Sequence, residues 1–387
     1  MRVAASVLFC LLLASPAAAQ QPRPAAAPPS QSSAPSAAPA AAALFEEEAR
    51  LLRVRVEGRP AQLETLIVKR RGAEGPLPVA LITHGKPPDR GSMSGMRAER
   101  MRQQARDMAR RGWLAVAVMR RGFGQSDGPP AADLTCANLE MLPRFERDAQ
   151  DLAAVLTEVL KRPDAQPDNA LAMGVSAGGA AALALAALQP PGLKAVVNIS
   201  GGLKVQECLE KSEATLVAAI GALAPRIKAQ TLWVYADNDS FFGPKVVDRM
   251  YEAALDKGMR VRRVALPAIG TDGHDIFSTA QGRRAWLLEL DQSLAGWQMP
   301  TWPRGLIEEF AKALKIDPAR NRTVLERYMA SPGEKALAFS RTSGRLFFRF
   351  GGGSSAAVEE GAMKDCASAG LQDCRLAAVD NAASAGP

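Results

Sequence analysis

The chain has 387 residues, enough for one large domain and a smaller one, and 47% of them are hydrophobic, so a sizeable core can be buried. The net charge of +8 is spread along the sequence without a lysine-rich tail. This pattern favours solubility and a mild attraction to anionic surfaces, and it argues against nucleic-acid binding. No phosphate loop, dinucleotide fingerprint or metal-binding motif occurs, so we expect no cofactor and no metal.

Residues 1–19 have the features of a secretory signal peptide. A charged start, Met1-Arg2, precedes an apolar run over 3–13 and a small-residue end, so cleavage is expected after Ala19. The apolar run is too short to span a membrane. Residues 20–43 are almost entirely Ala, Pro, Ser and Gln, and this composition predicts a disordered linker. We therefore expect an exported protein, periplasmic or extracellular, without a transmembrane segment.

Apolar runs and helical periodicities alternate between residues 44 and 298. Strands are predicted at 52–56, 62–69, 78–83, 113–118, 170–173, 195–199, 231–235 and 261–266, and helices at 94–111, 142–160, 180–188, 245–257 and 278–294. The alternation predicts a mostly parallel sheet with helices on both faces. In such sheets the functional site lies at the carboxyl ends of the strands.

A composition break rich in Trp and Pro covers residues 297–303. After it, residues 304–387 are predicted to form a separate small α+β module, whose function and partner the sequence does not give. Helices are predicted at 306–314, 321–329 and 356–366, and strands at 336–340, 345–350 and 375–379.

The motif Gly-x-Ser-x-Gly at residues 174–178 follows the apolar run 170–173 and precedes an alanine- and leucine-rich helical segment. Strand, sharp turn and helix form the context in which this motif marks a nucleophile elbow. Glycines are needed at Gly174 and Gly178 because side chains there would collide with neighbouring elements. We therefore predict that Ser176 is the nucleophile and that the N–H of Ala177, at a helix N-terminus, stabilises an oxyanion. The alternative is an ordinary strand-to-helix turn.

The chain holds only two histidines, and only His274 lies downstream of Ser176. It sits in a glycine-flanked loop after the strand ending at residue 266, where a general base belongs in the order Ser, Asp, His. The acid should follow the strand 231–235, where Asp237 and Asp239 both stand. We favour Asp239 as the acid and Asp237 as a turn cap.

His84-Gly85-Lys86 follows the strand 78–83, at the position of a second oxyanion donor. The N–H of Lys86 is the predicted donor, Gly85 allows close approach to the substrate, and His84 is expected to be structural. Arg120, Arg121 and Lys204 are placed on loops at the same edge, where they would favour a carboxylate-bearing substrate.

These motifs together resemble the α/β-hydrolase superfamily, on its dienelactone hydrolase-like and prolyl oligopeptidase-like side. The resemblance covers roughly residues 50–295 and is carried by the His84-Gly85 turn, the loop 121–128, the elbow 174–179, Asp239 and Gly273-His274. It implies an α/β-hydrolase fold and a Ser-Asp-His triad but no particular substrate. Dienelactone hydrolases use a cysteine nucleophile where this chain has Ser176.

Four cysteines remain after removal of the signal peptide. An even number in an exported chain suggests disulfides, and three connectivities are possible. The distribution over two domains favours Cys136–Cys208 and Cys366–Cys374. Zinc binding is the alternative, but no histidine lies near either pair.

The sequence thus predicts an exported serine hydrolase that cleaves small carboxylic esters, anionic ones among them, through an acyl-enzyme. Ser176, His274 and Asp239 form the proposed triad. One alternative is a serine peptidase of the prolyl oligopeptidase-like type. The other is a non-catalytic binding protein on a hydrolase scaffold.

Overall fold

The computed structural model describes residues 44–87, 89–301, 306–351, 354–380 and 382–383. The predicted signal peptide, the predicted linker and part of the Trp- and Pro-rich break lie outside the described residues. No helix within these ranges has the length and apolarity required to cross a membrane.

An eight-stranded sheet forms the centre of the larger part of the molecule. Its strands are β1 (Phe45–Val56), β2 (Arg59–Arg70), β3 (Leu77–Thr83), β4 (Leu114–Val118), β5 (Ala165–Val175), β6 (Leu193–Ile199), β7 (Gln230–Ala236) and β8 (Val261–Leu266). Their order is β1-β2-β4-β3-β5-β6-β7-β8. β2 is antiparallel to β1 and β4, and all pairs from β4 to β8 are parallel. Glu57 and Gly58 join β1 to β2 with φ values of 50° and 80°, as a tight hairpin turn requires.

Helices cover both faces of this sheet. They are α1 (Arg102–Arg110), α2 (Met141–Val159), α3 (Ala177–Leu188), α4 (Leu209–Leu223), α5 (Pro244–Asp256) and α6 (Ala280–Gly296). Apolar side chains of α2 to α5 form one core with the sheet, and those of α1 and α6 form a second core on the opposite face. The sequence of β3 is continuously apolar because both of its faces are buried. Leu81 lies in the first core and Ile82 in the second.

A smaller antiparallel sheet lies in the C-terminal region, with the order β10-β9-β11-β12. Its elements are α7 (Leu306–Leu314), α8 (Pro318–Ala330), β9 (Lys335–Ser340), β10 (Leu346–Phe350), α9 (Ser355–Ser368), β11 (Cys374–Val379) and β12 (Ala382–Ala383). α7 and α8 pack on one face of this sheet and α9 on the other. Buried ion pairs connect it to α1, where Arg110 donates two hydrogen bonds of 2.9 and 2.8 Å to Asp380. A domain boundary between 298 and 304 stays a prediction.

The predicted fold class is confirmed: a large, mostly parallel sheet with helices on both faces, and a small α+β region after it. The clearest difference in detail is the helix predicted from residue 94, which begins only at Arg102. A 3-10 turn covers Ala98–Met101, and residues 91–95 form turns, because Gly91 and Gly95 do not favour a continuous helix.

Candidate active site

Ser176 stands at a sharp turn between β5 and α3. Its φ of 55° and ψ of −126° lie where side chains are strained, at a cost of order 1–3 kcal/mol. A Cβ on Gly174 would lie 2.4 Å from Gly178 O, and one on Gly178 would lie 2.4 Å from His84 O. Side chains at these two positions are therefore excluded. The N–H of Ala177 belongs to the first turn of α3, whose donors have no partner within the helix.

His274 and Asp239 form a hydrogen-bonded pair at the carboxyl ends of β7 and β8. His274 Nδ1 lies 3.0 Å from Asp239 Oδ1 and 3.2 Å from Oδ2, and the carboxylate is fully buried. Asp239 Oδ1 also accepts hydrogen bonds of 2.9 Å from the N–H groups of Phe241 and Phe242. These donors hold the carboxylate in place. Because Nδ1–H donates to Asp239, Nε2 of His274 keeps the lone pair that a general base needs.

Asp237, the alternative acid, is exposed, and its backbone N–H donates to Leu266 O over 2.9 Å. No hydrogen bond links its side chain to His274 among the contacts of the described residues. The geometry therefore favours Asp239 over Asp237.

Two polar residues that the sequence reasoning missed fix the loop carrying His274. Asn238 Oδ1 accepts from Ile269 N over 2.9 Å, and the carbonyl of Asn238 accepts from Gly273 N over 3.1 Å. Asp272 Oδ1 accepts from the backbone N–H of His274 over 2.9 Å. The only sequence signal for Asp272 was its position just before Gly273-His274, where an acidic residue caps a helical turn.

Asp272 is itself held by Ser240, whose hydroxyl lies 2.5 Å from Oδ2. Partial burial would raise the pKa of Asp272, but hydrogen bonds from Ser240 and from the His274 backbone outweigh it, so the pKa lies below its usual value. The charged carboxylate thus connects the loop after β7 to the loop after β8.

The His84-Gly85-Lys86 turn packs directly against the elbow. A Cβ on Gly85 would lie 3.1 Å from Ser176 Cβ and 3.7 Å from Oγ. His84 is buried, with Nδ1 at 2.7 Å from Gly85 O and Nε2 at 3.2 Å from the N–H of Arg120. Nδ1 must therefore be the donor and Nε2 the acceptor, which is a neutral imidazole. Burial and the Arg120 guanidinium keep the pKa of His84 well below its usual value.

The Lys86 side chain is anchored on the opposite side of this turn. Its Nζ lies 2.8 Å from Asp133 Oδ1, and this hydrogen bond lowers the pKa of Asp133. Asp133 precedes Cys136, which is joined to Cys208 at the start of α4 with a Cα–Cα distance of 5.8 Å. The predicted oxyanion turn is therefore held between the His84 ring and a disulfide-braced loop.

Arg120 and Arg121 do not supply the positive charge to the site that the sequence suggested. Arg120 is 0% exposed and donates to Thr83 Oγ1 and His84 O, each over 2.7 Å. Arg121 is held by Asp151, with Nε 2.5 Å from Oδ1. Both guanidinium groups are engaged by protein groups next to the loop. The expectation that they favour an anionic substrate is therefore wrong.

Ser176 and His274 are connected through packed residues. The carbonyl of Ser176 accepts from Gly202 N over 3.0 Å, and a Cβ on Gly202 would lie 2.8 Å from the Phe242 ring. That ring contacts the His274 ring at a centroid distance of 5.7 Å. Within the part of the chain that the structure describes, no hydrogen bond joins the Ser176 hydroxyl to His274.

The order of these features along the sheet decides the fold family. A strained serine follows β5, an acid follows β7 and a histidine follows β8, all at one edge of a mostly parallel sheet. The chain has the α/β-hydrolase fold.

Comparisons with known proteins find one matching family model and a number of similar solved structures. A family model described as serine aminopeptidase, S33, matches residues 94–237. A solved structure from Klebsiella pneumoniae, described as a dienelactone hydrolase, has 19% identity and a TM-score of 0.46, covering 66% of this chain and 98% of its own. An esterase of Pyrococcus furiosus has 16% identity and a TM-score of 0.47, covering 65% of this chain and 91% of its own. An acylaminoacyl peptidase has 19% identity and a TM-score of 0.46, covering 66% of this chain and 42% of its own. No curated protein sequence matches significantly.

The described residues contain no group of three or more His, Cys, Asp or Glu side chains that could hold a metal ion. The second predicted cysteine pair, Cys366 and Cys374, is joined in the C-terminal region with a Cα–Cα distance of 5.9 Å.

Proposed function

We propose that the chain is an exported serine hydrolase that cleaves small carboxylic esters through an acyl-enzyme. The observation that carries the proposal is the buried Asp239–His274 pair, at the same sheet edge as the strained turn of Ser176. A strained non-glycine backbone is retained where the surrounding structure forces it, and such sites are commonly functional.

In the proposed acylation step, Ser176 Oγ attacks the ester carbonyl carbon while its proton moves to Nε2 of His274. The resulting imidazolium is stabilised by Asp239, which remains ionised. The proton then passes from Nε2 to the leaving alcohol as the bond between carbon and the alcohol oxygen breaks. In deacylation a water molecule attacks the acyl carbon while its proton moves to Nε2 of His274. The bond between that carbon and Ser176 Oγ then breaks, His274 returns the proton to Oγ, and the carboxylic acid is released.

The negative charge on the carbonyl oxygen would be held by the N–H groups of Lys86 and Ala177. Each such donor contributes about 10²–10³ in kcat where it has been removed from related sites. The first-turn position of Ala177 supports this role, as does the contact of the Gly85 turn with Ser176. The hydrogen bond from His84 to Gly85 O and the start of α3 would hold these donors before substrate binds, so little reorganisation would be needed.

An aromatic surface beside the base suggests what the site accepts. Phe241 is 46% exposed and stacks on the His274 ring at a centroid distance of 4.3 Å. Lys204 Nζ lies 5.0 Å from the centre of the same Phe241 ring. Because Arg120 is buried and Arg121 pairs with Asp151, Lys204 is the cation that we propose to favour carboxylate-bearing esters. Phe241 would contact the apolar part of the same substrate.

A peptidase remains the second candidate, because the matched family model is named for aminopeptidases. The segment 201–230 forms α4 and two short 3-10 turns, over Gln206–Cys208 and Ala224–Arg226. This is a modest cover, and the Cys136–Cys208 bond ties its start to the loop before α2. We therefore rank esters above extended peptides. The two disulfides support export, since such bonds persist in oxidising compartments.

The test is a panel of p-nitrophenyl esters of increasing acyl length, including acyl chains that end in a carboxylate and neutral chains of equal length, beside dipeptidyl amides. We expect short esters to turn over fastest and Ser176→Ala to abolish turnover. Lys204→Gln should lower kcat/KM for the anionic esters only. Lys194→Gln, which removes an exposed charge at the start of β6, should change kcat/KM for neither the anionic nor the neutral esters. Faster turnover of amides than of every ester would favour the peptidase instead.

A further inference from the structure

A cleft of about 480 Å³ opens in the C-terminal region between the α7–α8 turn and one end of strands β9 and β11. None of the residues proposed for the active site lines it. The volume lies in the range of sites that hold small organic molecules. Its lining residues belong to α7, α8, β9, β11 and the turns between them, apart from the residues proposed for the hydrolase chemistry.

The cleft combines an apolar floor with a cationic rim. The apolar lining includes Leu314, Ile316, Phe339, Leu376 and Ala377, and the cationic lining consists of Lys315, Arg320, Arg341 and Arg375. Asp317 is the one acidic residue of the lining, and its carboxylate already accepts from Ala319 N over 2.8 Å at the start of α8. Cationic side chains therefore outnumber acidic ones around this cleft.

The charge pairing elsewhere on the same small region differs from that in the cleft. Arg322 forms an ion pair with Glu308, and Arg349 forms one with Asp365. In contrast, none of the ion pairs of the described residues involves Lys315, Arg320 or Arg375. The Arg320 side chain donates a hydrogen bond of 3.3 Å to the carbonyl of Ser343.

Like charges gathered around a concave surface repel one another and create a positive potential that attracts anions. A bound anion would remove this repulsion, and arginine binds tetrahedral oxyanions through paired N–H donors.

We propose that this cleft binds an organic phosphate dianion. Arg320 and Arg375, with Lys315, hold the phosphate group, and the apolar part of the ligand lies on Phe339 and Leu376. The phosphate group is the recognised chemistry, and it can belong to a soluble phosphate monoester or to an anionic lipid headgroup.

The experiment measures calorimetric binding of phenyl phosphate to the full chain, with phenol as the uncharged comparison. We expect phenyl phosphate to bind and phenol not to bind. Arg320→Gln and Arg375→Gln should each weaken binding by about tenfold or more, the effect of losing a charge-assisted hydrogen bond. Lys364→Gln, an exposed charge on α9 outside the cleft, is the matched control and should leave the affinity unchanged.

In a parallel arm, vesicles containing phosphatidic acid are compared with neutral vesicles in a flotation assay.

Binding in either arm that the arginine variants weaken and Lys364→Gln does not would support the proposal, and the arm that binds more tightly identifies the source of the phosphate. Arg375→Lys keeps the charge and should retain part of the affinity, while thermal unfolding verifies that each variant is folded. Absence of binding in both arms would overturn the proposal. Equal weakening by Lys364→Gln would do the same, because it would indicate diffuse attraction to a basic surface.

Discussion

Replacing His84 tests how the proposed oxyanion turn is oriented. The His84 ring donates to Gly85 O over 2.7 Å and accepts from Arg120 N over 3.2 Å. Gly85 C=O and Lys86 N–H belong to one planar trans peptide and point in opposite directions. The hydrogen bond that holds the carbonyl therefore also aims the N–H that we propose as a donor. His84→Phe keeps a buried ring but removes both hydrogen bonds.

Two kinds of loss are expected from His84→Phe. Each backbone group left buried without a partner costs about 1–3 kcal/mol of unfolding free energy. A misdirected Lys86 N–H costs about 10²–10³ in kcat, with little change in KM, because the donor acts on the oxyanion rather than on the bound ester. The pH midpoint of kcat/KM should not move, since the low pKa of His84 keeps it neutral in the working range.

The assay is steady-state hydrolysis of p-nitrophenyl acetate, with denaturant unfolding measured on the same preparations. Phe123→Leu is the matched control, because Phe123 contacts the His84 ring at a centroid distance of 4.4 Å without touching its hydrogen bonds. A folded His84→Phe protein with nearly unchanged kcat would mean that the hydrogen bonds of His84 do not orient the Lys86 N–H. An equal fall in kcat in Phe123→Leu would mean that ring packing, and not these hydrogen bonds, is what matters.

Three further predictions concern the acid, the disulfide and a buried lysine. Asp239→Asn should lower kcat by about 10⁴ through the wrong histidine tautomer, and Asp237→Asn, at an exposed position, should leave it close to wild type. Peptide mapping without reduction should recover Cys136 bonded to Cys208, a loop of 72 residues worth about 4 kcal/mol by chain entropy. Burial lowers the pKa of Lys335 to about 7, so the unfolded chain binds more protons above that pH. The unfolding free energy should therefore rise from about pH 7 to pH 9 relative to Lys335→Met, by up to about 1.4 kcal/mol per pH unit.

Each of these has a result that contradicts it. A large loss of kcat in Asp237→Asn would mean that Asp237, and not Asp239, is the acid. Free thiols at both positions, or a bond from Cys136 to Cys366, would reject the disulfide. Stability profiles of wild type and Lys335→Met that run parallel over the same pH range would mean that the lysine does not titrate there.

Much of the site could be predicted because its chemistry leaves few choices. A chain with one histidine after the elbow offers one candidate base. Glycines are required in the elbow because a Cβ at Gly174 or Gly178 would lie 2.4 Å from a backbone oxygen. Asp237 and Asp239 lie two residues apart in one turn, so periodicity could not separate them. Their separation depends on which carboxylate turns inward, and that is set by the N–H groups of Phe241 and Phe242.

The arginines show where sequence reasoning fails. Placing Arg120 and Arg121 on a loop at the active edge was correct, but the direction of their side chains depends on distant partners. Asp148 and Asp151, one turn apart on α2, draw the two guanidinium groups away from the substrate side. Nothing in the local sequence of the loop indicates that pairing, because it requires the packing of α2 against the sheet.

The proposed function requires that Ser176 is a nucleophile activated by His274. Labelling of the full chain with a fluorophosphonate probe, followed by mass spectrometry of the tryptic peptides, tests it most directly. We expect a single phosphonylated peptide containing Ser176, no label in folded Ser176→Ala, and much slower labelling in His274→Ala. Wild-type protein that is folded yet unlabelled, or labelled at another serine, would contradict it.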